Sequence, residues 1–347
     1  MKTRGFYLLL LLIGVGLFFS ACGNSSGNPA ALHGTYSYFG TQSPGDVWNW
    51  TLGEGTIVAT NETLGFYYSG TFSALASGFL KGVIAATNDP TVPANGSFYM
   101  LELPNSMLIV KPGGNSDRMI VCAARTVLPP TAGQYNWIKV PGLGWDNGTA
   151  FGTADVTVSS GSIDIAMNKY DIAGSLRETT NEAGFTFVDG KISREGSALQ
   201  VFMTPSGLFF GDNGPGSGGF FGTYTGPLRV PTPYARNYRG VIFSYDSQTR
   251  LGVTKAIGVG PHPTRQETFQ GWSYSDVDAN TVDPSSYVAI TLEASGIPRV
   301  WNGIMIDEQG QAKEFKMIYN YIGGKYVMLG ITAMTNTRPE NFVIVEQ

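Results

Sequence analysis

The stretch Val156-Thr157-Val158-Ser159-Ser160-Gly161-Ser162-Ile163-Asp164-Ile165 alternates branched apolar and polar residues on both sides of a Ser-Ser-Gly centre. Period-two alternation places every second side chain on one face of a strand. A glycine at the break lets the chain reverse, so these residues read as a β-hairpin. Phe185-Thr186-Phe187, Tyr287 to Leu292 and Phe342 to Val345 carry the same strand signal. The best helical pattern, Ser73 to Ala86, holds Gly78 and Gly82, each costing roughly 1 kcal/mol against Ala in a helix. The expectation is an all-β body with at most a few short helices. Its antiparallel sheets would pack as sandwich or barrel-like units, with a β-propeller as the alternative.

Internal similarity extends outward from that hairpin. Gly34-Thr35-Tyr36-Ser37-Tyr38 resembles Gly133-Gln134-Tyr135-Asn136-Trp137, and Gly96-Ser97, Ser106, Leu108 and Gly114 match Gly196-Ser197, Ser206, Leu208 and Gly214. A third strand-Gly-strand segment runs from Met317-Ile318-Tyr319 through Gly323-Gly324 to Tyr326-Val327-Met328-Leu329. The matches suggest three related β units, 33–128, 129–230 and 231–347, joined around Pro129-Pro130 and Pro231 to Pro233. A Gly-rich β chain also offers such matches by chance. Each unit exceeds one propeller blade of ~40–50 residues, so a sandwich module or two blades would fit it better. The apolar runs at Met107 and Met119 alternate poorly, which implies strands buried on both faces.

Charged residues make up only 14% of the 347, against ~25% in an average soluble protein. Lys and Arg form no run, and the net charge of -4 supplies no basic patch for nucleic acid. Aromatic and β-branched residues suffice for a core, so the low charge is not a disorder signature.

The N-terminus is read separately. Lys2 and Arg4 precede an apolar stretch from Phe6 to Phe19, shorter than the ~20 residues of a spanning helix and typical of a secretory signal. It ends in Phe19-Ser20-Ala21-Cys22, which resembles the lipobox of bacterial lipoproteins, with Phe19 where that family most often has Leu. The resemblance covers the first two dozen residues. It implies cleavage of a signal peptide 1–21 and acylation of Cys22 by diacylglycerol and a further acyl chain such as palmitate. Two or more chains hold a protein stably to a membrane. Removing 1–21 takes two cations and no acid, so the mature charge becomes -6. Residues 22–32 begin with an uncharged Gly/Asn/Ser stretch and read as a flexible tether. Gly23 is not the Asp that retains lipoproteins in the inner membrane, so the resemblance implies the outer membrane. With Cys22 acylated, Cys122 has no partner, and its apolar neighbours make it a small buried hydrophobe.

Catalytic chemistry is hard to find. His33 and His262 are the only imidazoles, which leaves no zinc-type cluster. No Gly-x-Ser-x-Gly elbow accompanies them. Gly211 to Gly222 lacks the following helix of a phosphate loop and reads as a turn. His262, between Pro261 and Pro263, reads as an exposed loop histidine. Asp276, Asp278, Asn280 and Asp283 stand at near-alternate positions that could converge on calcium. Thr281 replaces the turn glycine of an EF-hand-type loop, however, and Asp and Asn favour turns for their own reasons. Trp48 and Trp50 share one strand face near Phe66-Tyr67-Tyr68 and would offer a platform for a sugar ring if exposed, or core if buried. Asn61-Glu62-Thr63, Asn95-Gly96-Ser97 and Asn147-Gly148-Thr149 read as polar turns. No catalytic residue, cofactor or nucleic-acid partner is assigned. The expectation is a non-enzymatic binding or scaffolding protein, anchored at the cell envelope and facing a protein or glycan partner. The alternatives are a carbohydrate-active hydrolase using paired carboxylates and a subunit of an outer-membrane assembly.

Overall fold

The computed structural model describes residues 36–347, apart from 43–45, 91, 113–119, 127, 141–148, 213–218, 226–232, 247–250, 323 and 333–339. The signal, Cys22, the tether and His33 lie outside the described residues. Among the described residues the chain is all-β, with two short 3-10 turns and no α-helix.

Each third of the chain is an antiparallel meander that closes on itself. The first barrel is β1 (Tyr36–Gln42), β2 (Asp46–Leu52), β3 (Thr56–Asn61), β4 (Tyr67–Ala74), β5 (Leu80–Thr87), β6 (Ser97–Leu103), β7 (Met107–Pro112) and β8 (Ile120–Ala124), with β8 pairing back to β1. The second is β9 (Gly133–Val140), β10 (Phe151–Ser159), β11 (Ser162–Tyr170), β12 (Leu176–Val188), β13 (Lys191–Ser193), β14 (Gln200–Met203), β15 (Leu208–Asp212) and β16 (Gly219–Tyr224), closed by β16 on β9. The third is β17 (Tyr238–Asp246), β18 (Leu251–Pro261), β19 (Thr268–Asp276), β21 (Val288–Ala294), β22 (Val300–Asp307), β23 (Ala312–Ile322), β24 (Lys325–Thr332) and β25 (Glu340–Glu346). The two-residue β20 (Thr281–Val282) pairs to the side of β19. Strand β25 pairs with β17, and β18 with β19, so this ring closes too. Closure removes the exposed sheet edges that invite aggregation. The units are thus barrels of eight strands, and neither a sandwich nor a propeller forms.

The hairpin at 156–165 is β10 and β11, with Ser159 opposite Ser162 across a two-residue turn. Gly161 has φ +91, a conformation that costs glycine nothing. Ser73 to Ala86 is not a helix. It is the end of β4, a turn with Gly78 at φ +84, and β5. Gly82, which weakens the helical reading, lies directly opposite Phe98, and an added Cβ would overlap the Phe98 ring. The same cross-strand pair recurs as Gly152 with Trp137, Gly211 with Phe220, Gly303 with Phe315 and Gly330 with Phe342. Each ring lies flat over a position with no side chain, a known way to support glycine in a sheet.

The poorly alternating runs have a direct explanation. In β7, Leu108 and Val110 point into the first barrel's own lumen, whereas Met107 and Ile109 join a core shared by all three barrels. β15, β24 and β25 do the same, with Phe209, Met328 and Ile344 inward and Phe210, Leu329 and Val343 in the shared core. Both faces of these strands are buried, so hydrophobic residues run on without interruption. Polar contacts pin the barrels in register. Ser106 and Ser206, one of the repeat matches, touch at 2.9 Å. Asn320 Nδ2 donates to Thr223 Oγ1 at 2.7 Å, Asn136 Nδ2 to the Pro298 carbonyl at 2.7 Å, and Arg239 Nε to the Ser77 carbonyl at 2.7 Å.

The third copy of the repeat is out of register. Met107 to Cys122 and Leu208 to Tyr224 are the seventh and eighth strands of their barrels, whereas Met317 to Leu329 covers the sixth and seventh, β23 and β24. Gly324 therefore sits in a different turn from the one each of the first two copies spans, and the Gly114 and Gly214 of those copies lie outside the described residues.

Candidate functional site

The lumen of the third barrel contains a cavity of about 540 Å³. Its wall is apolar and comes from all around the ring: Ile257 and Val259 of β18, Val288, Ile290 and Leu292 of β21, and Ile344 of β25. Three phenyl rings, Phe269, Phe315 and Phe342, and three thioethers, Met305, Met317 and Met328, complete it. Alternation makes this possible: residues at every second position of each strand share the inner face. Gly271 also lines the cavity. Its cross-strand partners are Val259 and Val288, so no aromatic ring covers it.

One end of the lumen is plugged. Tyr238, Tyr319, Tyr326 and Trp301 pack together there, with Trp301 and Tyr319 ring centroids 5.6 Å apart. Tyr238 donates its hydroxyl to the Pro233 carbonyl at 2.7 Å, much as Tyr135 donates to Thr131 in the second barrel. Burial raises the phenol pKa of Tyr238, Tyr319 and Tyr326, so these groups stay protonated and structural. Glu346 closes the same end, accepting from the Tyr326 N–H at 3.0 Å and from Arg236 at 3.0 Å.

The other end is polar. Asp307, Gln311, Lys313, Glu340, Ser273 and Ser286 reach the cavity there. Lys313 Nζ lies 2.6 Å from Glu340 Oε2. Asp307 Oδ1 accepts from the Gln309 and Gln311 N–H groups at 3.0 and 2.7 Å. Ser286 Oγ accepts from the Ser273 N–H and donates to the Asp283 carbonyl, both at 2.7 Å. Trp272 stands beside this rim, 6.0 Å from the Tyr287 ring. Two carboxylates therefore border one cavity, but each already holds an internal partner. A hydrolytic pair needs one free acid and one free base or nucleophile.

The residues singled out by the sequence lie elsewhere. Trp48 and Trp50 are each 3% exposed inside the first barrel, Trp48 stacked on Tyr68 at 5.3 Å. They form no surface platform for a sugar, because the face they share is the luminal one. Asp276, Asp278, Asn280 and Asp283 are not brought together. Asp276 caps the Ala279 N–H, Asp283 caps Ser285, Asn280 takes a left-handed turn conformation, and Asp278 forms an ion pair with Lys81 of the first barrel. The described residues hold no group of three or more His, Cys, Asp or Glu placed to bind a metal. Turn capping, which Asp and Asn do well, accounts for the alternation in that loop. His262 Nδ1 accepts from the Thr264 and Arg265 N–H groups at 3.2 and 3.1 Å in an exposed loop. Cys122 is fully buried in the first barrel, and burial raises its thiol pKa well above the ordinary range. That leaves it protonated and unreactive. The rim residues Asp307, Lys313 and Glu340 carry no motif in the sequence. Only barrel closure brings them together.

No protein-family model and no curated protein matches the chain. Among solved structures it is similar to isotype 1 transferrin binding protein B from serogroup B Neisseria meningitidis. That match has 11% identity and a TM-score of 0.32 over 87% of this chain and 65% of that one. It is also similar to a single-substitution mutant of the vaccine antigen transferrin binding protein B from Haemophilus parasuis Hp5, with 7% identity and a TM-score of 0.28 over 88% and 66%. The chain thus spans just under two thirds of each of these structures. Both likenesses are too distant to carry a function across.

Proposed function

We propose that this protein is a non-enzymatic binding protein of the cell envelope and that the lumen of its third barrel is the binding site for a small, mainly apolar molecule. The observation that carries the reading is the cavity of about 540 Å³ with apolar walls and one polar end. Small-molecule sites are typically concave, mostly apolar and ~300–1,000 Å³, and the mouths of β-barrels are a common place for them. In this reading the first two barrels brace the third through the shared core. The acylated Cys22 and the tether hold the assembly at the outer membrane.

Methyl NMR tests the site. Met305, Met317 and Met328 line the cavity, whereas Met100 and Met203 lie in the other two lumens. Titration of methyl-labelled protein with a panel of small apolar molecules should shift the first three saturably and leave the other two in place. Shifts of similar size in all five would defeat the assignment. For the anchor, incorporation of labelled palmitate should vanish in Cys22→Ser, and persistence of the label would defeat that part.

A further inference from the structure

The shape of the cavity narrows what it takes, and this inference rests on the cavity being a binding site at all. At the ~30 Å³ occupied by a water-sized group in a condensed phase, 540 Å³ holds at least on the order of 18 non-hydrogen atoms. Depth then separates a chain from a ring. The wall runs from Glu340 to Ile344 on β25 and from Lys313 to Met317 on β23, four steps of ~3.4 Å, or about 14 Å along a strand. Volume over depth leaves a section roughly 7 Å across. An extended hydrocarbon chain, about 4 Å thick at carbon contact distance, fills under half of that section. One of 18 carbons is also longer than the cavity is deep, and the tyrosine plug at Tyr238, Tyr319 and Tyr326 bars it from threading through.

Wall chemistry agrees with the shape. Phenyl rings from Phe269, Phe315 and Phe342 face thioethers from Met305, Met317 and Met328. Sulfur contacts favour aromatic rings, and methionine adapts to their outline. At the rim, Lys313 is matched by Glu340 and the Asp307 carboxylate is taken up by backbone N–H groups. Lys313, Glu340 and Asp307 leave the rim with one net negative charge, which disfavours an anionic head, whereas an uncharged hydroxyl, amine or carbonyl edge can use the hydrogen-bonding positions still open on Lys313 and Asp307. The geometry points to an uncharged, ring-based molecule of on the order of 18 non-hydrogen atoms, its apolar body inside the barrel and its polar edge at Lys313, Glu340 and Gln311.

Matched probes test this on the chain from Cys22 onward, made with Cys22→Ser so that neither acyl group nor detergent competes. N-phenyl-1-naphthylamine is uncharged and of the right size. 8-Anilino-1-naphthalenesulfonate is the same skeleton with an anionic group, and hexadecanol has a similar atom count as a chain. The amine should bind one to one, with energy transfer from Trp272. The sulfonate should bind at least tenfold more weakly, and hexadecanol should displace the amine at least tenfold less well than unlabelled amine does. Met305→Trp, or Ile290→Phe should the first fail to fold, should remove binding at unchanged circular dichroism. Hexadecanol competing as well as the amine would overturn the ring assignment and leave the cavity as a site. Equal binding of the sulfonate would overturn the uncharged class alone. Failure of all three probes to bind, or full binding in both filling variants, would remove the cavity reading together with this one.

Discussion

Gly82→Ala and Gly303→Ala add the same methyl group under the same kind of cross-strand phenyl ring, Phe98 in the first barrel and Phe315 in the third. Their costs should nevertheless differ, because the rings have different room to move. Phe98 is 5% exposed and packs edge-on against Trp50 at 5.7 Å. A displaced Phe98 ring must push that neighbour, and overpacking of this kind costs typically 1–3 kcal/mol. Phe315 also packs edge-on against Phe342 at 5.5 Å, but it borders the cavity of about 540 Å³ and can tip into it. Both substitutions also recover the roughly 0.5–1 kcal/mol by which glycine disfavours a strand relative to alanine. The net expectation is a loss of about 1 kcal/mol for Gly82→Ala and close to zero for Gly303→Ala. Urea denaturation reads the difference as a shift of midpoint at constant slope. A saturating ring-based ligand should raise the cost of Gly303→Ala alone, by filling the space the ring needs. A loss for Gly303→Ala equal to or larger than that for Gly82→Ala would refute the argument, and with it the claim that the third lumen is loosely filled.

Three further outcomes follow from polar groups. Burial, helped by neighbouring Lys169, lowers the Lys139 pKa to about 8, so above pH 8 the unfolded chain holds a proton at this lysine that the folded one gives up, and the lysine's contribution to stability rises with pH; denaturation at stepped pH from 8 to about 9, below the range in which unfolded tyrosines ionise, should show the wild type gaining on Lys139→Met. Arg239, bonded to the Ser77 and Tyr238 carbonyls and lying over Tyr274, joins the first and third barrels, and Arg239→Met should cost about 2–4 kcal/mol in the same assay. Asp278→Ala removes an ion pair whose side chains are 29% and 40% exposed, so solvent screens it and the urea midpoint should barely move, and calorimetry should find no calcium dependence of the melting temperature in either protein.

Hairpins facing water on one side were legible because alternation survives there, as at Val156 to Ile165. Doubly buried strands were legible for the opposite reason. Met107 to Val110 runs apolar without a break because two different cores take its two faces. Strand register was not legible. Every hairpin of a meander reads strand, glycine, strand, so the pattern at Met317 to Leu329 could not separate the sixth-to-seventh turn from the seventh-to-eighth. The ring-over-glycine pairs are hidden in the sequence for the same reason, since Gly82 and Phe98 meet only once β5 and β6 are aligned. The candidate site was the least legible of all. Its wall draws ordinary aliphatic residues from Ile242 to Ile344, and the space between them is set by ring closure rather than by any local motif. Trp48 and Trp50 illustrate the converse. A shared face was read correctly from spacing, but only closure determines that it is the inner one.

What separates the third barrel from the second is where the large side chains fall. In the second, Trp137, Phe185 and Phe209 lie in the lumen with Phe220 against them, and the apolar pocket there is only about 30 Å³. Its Gly152 is covered by the Trp137 ring. In the third, the row Val259-Gly271-Val288 brings no ring to the lumen, and Tyr238, Tyr319, Tyr326 and Trp301 gather at one end. The resulting void is not a small defect. A lumen left open over about 540 Å³ forgoes the dispersion contacts that a filled one would make. A single aromatic residue at position 271 would recover part of that. Glycine there, beside three adaptable methionines and above the tyrosine-packed end, is the arrangement expected of a container whose contents supply the missing contacts. The shared core of all three barrels would then be what keeps such a container closed while it is empty.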